Sequence, residues 1–225
     1  MLSKKLINPS YVYKYEIDSI ITEEVLNYVK HLEYKRGFFR PNATSENFKL
    51  HTKNPIKKGS DIILSQMEQI VKDHSFAASN LHITNSQVNC SQTGEYHTPH
   101  DHANCMLTCV WYLNNADCDT VFYRLNEWVD QKLYVNPMRP RGGSSGSSFN
   151  FKLLDWYNEE AEHLQENFKP FILHKEPTIK NNVLIFPSSM LHMVTKNKSN
   201  HNRYTFSMNV LPKKFGQKTN QVDFT

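Results

Sequence analysis

The reading turns on Gly94-Glu95-Tyr96-His97-Thr98-Pro99-His100-Asp101-His102 and, five residues on, Leu107-Thr108-Cys109-Val110-Trp111-Tyr112-Leu113-Asn114. The second stretch is a short apolar run rich in β-branched and aromatic residues, ending at Asn114, which reads as a strand. Similar runs surround it: His82 to Asn89, Thr120 to Leu125, Asn182 to Phe186 and Tyr204 to Val210. Short strands punctuated by turns predict a β-sandwich or barrel core. Ahead of that series the texture is helical. Tyr11 to Ile17 opens the chain as a strand, with Tyr11, Tyr13 and Tyr15 at period two. A helix is then predicted with Thr22 as N-cap, Glu23 and Glu24 in its first turn, and Val25, Leu26, Val29 and Leu32 on its apolar face. A second helix is predicted to start after Ser60 and Asp61, with Ile63, Met67, Ile70 and Val71 at helical spacing. Both helices are expected to pack on one face of a sheet. Residues 35 to 59, polar and rich in turn formers, read as an irregular connection.

The strand series is interrupted between Asn126 and Pro177. This stretch holds Pro137-Met138-Arg139-Pro140-Arg141, a Gly/Ser run over residues 142–148 with the composition of a flexible linker, and a predicted helix from Leu153 to Phe168. It reads as an insertion, a lid and the expected seat of substrate selection, because long loops on a rigid scaffold carry specificity. Arg139 and Arg141 read first as a solvated loop and second as a clamp for an anion. The domain expectation is therefore one domain over residues 1–225 with an insertion at 126–177.

Composition adds bounds. A chain of 225 residues is long enough to bury a core without disulfides or a structural metal. A formal charge of +4 falls well short of a nucleic-acid footprint, so nucleic acid stays open as a partner without being indicated. Cys90, Cys105, Cys109 and Cys118 show no C-x-x-C pairing and read as small thiols in a reducing compartment. The first residues lack the apolar segment of a secretory signal, and no run is long enough to span a bilayer. A soluble, cytoplasmic chain is the expectation. The sequence leaves the oligomeric state undetermined.

The chemistry sits in the histidines. On an extended segment residues i and i+2 point to the same side, so His100 and His102 can converge while Asp101 points away. Two imidazoles on one strand face suit a borderline divalent metal, and the third ligand must come from elsewhere. Asn182-Val183-Leu184-Ile185-Phe186-Pro187-Ser188-Ser189-Met190-Leu191-His192-Met193-Val194 places His192 beyond an apolar strand and a Phe-Pro turn. Further on, Arg203, Thr205 and Ser207 share one strand face, and an arginine fork beside a hydroxyl suits a carboxylate. Each of these residues has a bland reading alone, as a surface histidine or a strand-edge charge. The residues by themselves offer a histidine face for a metal and a separate arginine face for a carboxylate.

These residues closely resemble the Fe(II)/2-oxoglutarate oxygenase superfamily, in particular its prolyl-hydroxylase-like branch and the oxygenases whose proximal motif reads Pro-His-x-His. The usual pattern is His-x-Asp/Glu, a distal His, and an Arg about ten residues later with Ser or Thr two positions beyond. Here ten residues separate His192 from Arg203. The resemblance implies a double-stranded β-helix (jelly roll) core, mainly β with flanking helices, supported by the N-terminal helices. It implies His100, His102 and His192 as Fe(II) ligands, and Arg203 with Thr205 as holders of the C5-carboxylate of 2-oxoglutarate, with Tyr112 placed to reach the same carboxylate. It implies O2 and a small-molecule or peptidyl substrate, often prolyl, with hydroxylation as the default outcome. The sequence departs from the pattern at His102, where the carboxylate ligand usually stands. Three neutral imidazoles leave the site one negative charge short of the two-histidine-one-carboxylate set. Asp101 is the alternative ligand if the strand is irregular beside Pro99. His97 reads as a pocket residue, and Asn85 and Gln87 share a parity that points into the barrel. Two other readings stand beside the main one. The first is a three-histidine, cupin-like dioxygenase without 2-oxoglutarate, and the second is a non-catalytic binding protein on the same scaffold.

Overall fold

The computed structural model describes residues 3–7, 10–36, 42–74, 78–102, 105–123, 172–215 and 222–223. In chain order the elements are β1 (Ser3–Ile7), β2 (Ser10–Glu16), α1 (Ser19–Val29), β3 (Tyr34–Arg36), β4 (Ala43–Ser45), α2 (Ile56–Asp73), β5 (Ala78–Ser91), β6 (His97–His100), β7 (Leu107–Tyr112), β8 (Asp119–Tyr123), β9 (Ile172–Pro177), β10 (Asn182–Pro187), β11 (His192–Val194), β12 (Arg203–Phe215) and β13 (Val222–Asp223). A short 3-10 turn at Leu50–Thr52 precedes α2. Among the described residues two sheets form. The larger runs β1-β2-β10-β7-β12-β5-β4-β3 with β13 beside β12, and the smaller runs β6-β11-β8-β9. All the strand pairings are antiparallel, and the two sheets face each other as the double-stranded β-helix that the sequence predicts.

Strand alternation sorts the chain into two cores. On the outer face of the large sheet, Tyr13, Tyr15, Cys109, Trp111, Val183, Ile185, Phe206 and Met208 pack against Ile21, Val25 and Val29 of α1 and Ile63, Met67 and Ile70 of α2. Both helices therefore lie on one face, as expected. On the inner face the intervening residues Val12, Tyr112, Leu184 and Phe186 meet Phe122 of the small sheet and Met190. Contact with α2 is close enough to dictate a glycine. A Cβ on Gly59 would overlap Trp111 Cζ3 and stand 2.5 Å from Cη2.

Helix starts differ from the sequence reading. The first helix begins at Ser19, capped by the Asp18 carboxylate, which accepts from the Ile20 N–H at 2.7 Å. Thr22 lies buried within the first turn. The second begins at Ile56, ahead of Ser60 and Asp61, and Ser60 is a buried interior residue whose hydroxyl donates to the Ile56 carbonyl at 3.0 Å. In both cases a serine or threonine hydroxyl bonds back one turn inside the helix instead of capping it. The polar connection from 35 to 59 contributes the short strand β4, most of the edge strand β3 and the first turn of α2. Of the segment read as an insertion, Ile172–Pro177 forms β9, paired with β8 in the small sheet. Residues 126–171 lie outside the described residues, and with them Arg139, Arg141, the Gly/Ser run and the predicted helix from Leu153 to Phe168. Among the described residues no helix is long and apolar enough to cross a membrane.

Candidate metal centre and facing arginine

The small sheet brings the histidines together by register. His100 ends β6 opposite His192, the first residue of β11, and His192 in turn stands opposite Phe122 of β8. His102 lies two residues beyond β6, where its N–H donates to the Ser188 carbonyl at 2.9 Å. The Ser188 hydroxyl donates to the Cys105 carbonyl at 2.6 Å, so the segment carrying His102 is tied to the turn that carries His192.

One ligand atom from each of His100, His102 and His192 lies within 4.8 Å of the others. The His102 and His192 Nε2 atoms are 3.3 Å apart. Two donors on one divalent ion with bonds of about 2.1 Å stand roughly 3.0–3.4 Å apart, the lower figure for octahedral and the upper for tetrahedral angles. The separation fits. His192 Nδ1 is 2.9 Å from the Met190 carbonyl, which can only accept, so the proton sits on Nδ1 and the Nε2 lone pair faces the cluster. Burial, and then the neighbouring His100 and His102, hold the His192 imidazole well below its ordinary pKa, which keeps it neutral as a ligand must be. Asp101 is exposed and outside the converging group. The His97 ring stacks on His100 with centroids 4.1 Å apart, and His97 is also outside that group.

The large sheet presents the arginine. Arg203 is the first residue of β12 and only 2 % exposed. Its Nε donates to Thr178 Oγ1 at 3.2 Å and its Cζ stands 5.5 Å from the centre of the Tyr112 ring. Arg203 Nη2 is buried with no hydrogen-bond partner among the described residues. A buried cation with an unmet donor is costly unless an anion completes it. Thr205 is also buried and lies in register with Tyr112, on the inward-facing parity of β12 with Arg203 and Ser207. The Tyr112 hydroxyl donates to Thr120 Oγ1 at 2.7 Å, and burial raises its pKa so that it stays protonated. Asn85 and Gln87 share the inward parity, opposite Asn209 and Ser207, and Asn89 Nδ2 donates to Ser207 Oγ at 3.4 Å. Between the sheets, buried Glu176 accepts from Lys14 Nζ at 2.5 Å and pairs with His174 Nε2 at 3.0 Å, which joins β9 to β2.

The donor set fits a divalent first-row metal, and the facing arginine fits the remote carboxylate of a chelating acid. These observations agree with the family to which the sequence is matched. Residues 85–209, more than half of the chain, match the family described as "Putative 2OG-Fe(II) oxygenase". The chain belongs to this family. Fe(II) and 2-oxoglutarate are the cofactors that define 2OG-Fe(II) oxygenases, and the three histidines and Arg203 lie within the matched segment. No curated protein matches the sequence of this oxygenase. Among solved structures, a Pseudomonas putida prolyl-4-hydroxylase aligns at 8 % identity over 92 % of this chain and 95 % of its own, with a TM-score of 0.56. The collagen prolyl hydroxylase of Paramecium Bursaria Chlorella virus-1, solved as a 2-oxoglutarate complex, aligns at 12 % identity over 92 % and 98 %, with a TM-score of 0.53. The epimerase SnoN, in complex with Fe3+, α-ketoglutarate and nogalamycin RO, aligns at 11 % identity over 90 % and 79 %, with a TM-score of 0.60. At these identities the likeness is one of fold, and the fold serves hydroxylation and epimerisation alike.

Four residues of the site carry no sequence signal. Thr178, Met190, Thr120 and Glu176 act through contacts made across 25, 2, 8 and 162 residues respectively. Only Met190, two residues before a proposed ligand, is close enough in sequence to have been suspected.

Proposed function

We propose that this oxygenase holds Fe(II) with His100, His102 and His192 and couples decarboxylation of 2-oxoglutarate to hydroxylation of a C–H bond. The observation that carries the assignment is the pairing across the barrel of three converging imidazoles with a buried, unmatched guanidinium. Fe(II) with 2-oxoglutarate supplies O2 activation, and the protein supplies orientation and a dry site. His192, locked by the Met190 carbonyl, offers Nε2 in one fixed direction. Arg203 and Thr205 take the C5-carboxylate, and the protonated Tyr112 below the guanidinium lends its ring face to the same cation. The three neutral ligands leave the metal more positive than the usual set, which favours chelation by a dianion.

A peptidyl substrate, prolyl by analogy with the hydroxylase neighbours, is the preferred class, with residues 126–171 as the selecting element. Cys90, Cys105, Cys109 and Cys118 are all free thiols, in keeping with a reducing, cytoplasmic setting. The three-histidine dioxygenase reading is favoured by His102 and opposed by Arg203, which it leaves without a task. Anaerobic titration with Fe(II) and then 2-oxoglutarate, followed by the visible charge-transfer band, separates them. A saturable band that His192→Ala abolishes supports the proposal. Fe(II) binding without a band moves the three-histidine reading to first place, and absence of metal binding leaves a binding scaffold.

A further inference from the structure

Thr178 sits in the connection between β9 and β10, only 3 % exposed, and is fixed from both sides of its peptide. Its N–H donates to the Cys118 carbonyl at 3.1 Å and its carbonyl accepts from the Ala116 N–H at 3.2 Å. The Thr178 hydroxyl oxygen lies 3.2 Å from Arg203 Nε and 3.5 Å from Cys118 Sγ. The acceptor is thus held by the backbone, and no other side-chain hydrogen bond to Arg203 occurs among the described residues.

A guanidinium can meet a carboxylate by two forks, Nε with Nη2 or Nη1 with Nη2. Thr178 occupies Nε, which removes the first fork and leaves Nη2 buried without a partner. We propose that Thr178 is the positioning residue of the cosubstrate site: it fixes Arg203 so that the guanidinium meets a remote carboxylate through its Nη edge alone. The reach from the three imidazoles to that edge is then set, and with it the chain length of the dicarboxylate that can span both. The inference rests on the proposed 2-oxoglutarate site and adds what determines its length selectivity.

Thr178→Val keeps the shape and removes the acceptor, and Thr178→Ser keeps the acceptor. The experiment measures dissociation constants of the Fe(II)-loaded protein for 2-oxoglutarate and for 2-oxoadipate, one methylene longer, by the anaerobic charge-transfer titration. Fe(II) affinity and thermal midpoint are recorded alongside. In Thr178→Val, 2-oxoglutarate affinity is expected to fall about tenfold, as for loss of a hydrogen bond to a charged group. Discrimination against 2-oxoadipate should narrow, Fe(II) affinity should stay unchanged, and Thr178→Ser should restore both cosubstrate values. A valine variant with wild-type affinity and wild-type discrimination overturns the positioning role and leaves the 2-oxoglutarate site standing. Loss of affinity with unchanged discrimination, or without rescue by serine, also overturns it, because a merely structural defect would behave that way. Absence of any band in the wild-type protein overturns this inference together with the reading it rests on.

Discussion

Replacing Arg203 with methionine should make the ligand-free protein more stable while destroying its response to 2-oxoglutarate. Arg203 is 2 % exposed, its guanidinium has one side-chain hydrogen bond among the described residues, to Thr178, and its Cζ stands 5.5 Å from the centre of the Tyr112 ring. Losing that bond and that ring contact costs about 2–3 kcal/mol. Against this, burying a cation with an unmet donor costs several kcal/mol, and a buried methionine contributes about 1.5–3 kcal/mol of its own. The balance is a gain of about 1–3 kcal/mol. For a chain of 225 residues that corresponds to a rise in Tm of roughly 2–12 °C. The assay is calorimetry on the Mn(II)-loaded protein, with and without 2-oxoglutarate at a hundred times the wild-type Kd. At that excess the ligand stabilises wild type by about 2.7 kcal/mol and should leave Arg203→Met unmoved. A variant that is less stable than wild type without ligand by more than about 1 kcal/mol would show that the fold itself satisfies this arginine. A retained 2-oxoglutarate shift would show that the carboxylate binds elsewhere.

Other expectations follow from the same geometry. Gly59→Ala puts a methyl group into the Trp111 ring, with Cη2 at 2.5 Å, and should cost about 1–3 kcal/mol in chemical denaturation; a neutral result would mean that α2 shifts freely on the sheet. His102→Asp restores the usual carboxylate and should bind Fe(II) at least about tenfold more tightly than His102→Ala in calorimetric titration, whereas equal affinities would remove position 102 from the ligand set.

The helix faces and strand parities were legible because each is a local period. Val25, Leu26, Val29, Ile63, Met67 and Ile70 are all buried, as their spacing predicts. That Arg203, Thr205 and Ser207 share one face of β12, and Asn85 and Gln87 one face of β5, follows from alternation alone. Helix starts were misread because a Ser or Thr hydroxyl can cap a helix or bond back within it, and only the path of the preceding chain chooses. Asp18 and Pro55, four and five residues before Thr22 and Ser60, made that choice. β9 was missed because Ile172-Leu173-His174-Lys175-Glu176-Pro177 mixes apolar and charged residues, and its buried glutamate is admitted only by Lys14 and His174.

By itself the sequence determined the fold class, the candidate ligands His100, His102 and His192, and the strand face carrying Arg203. The strand and helix faces rest on periods of two and 3.6 residues, which the chain expresses before it folds, and the β-helix class and the full ligand set on the resemblance of the spaced motifs to a known family. Tertiary structure decided which nitrogen of His192 faces the cluster and which edge of Arg203 is left open. Each of these depends on a carbonyl, a hydroxyl or a strand register brought from another part of the chain, and no local pattern encodes a partner that arrives only on folding.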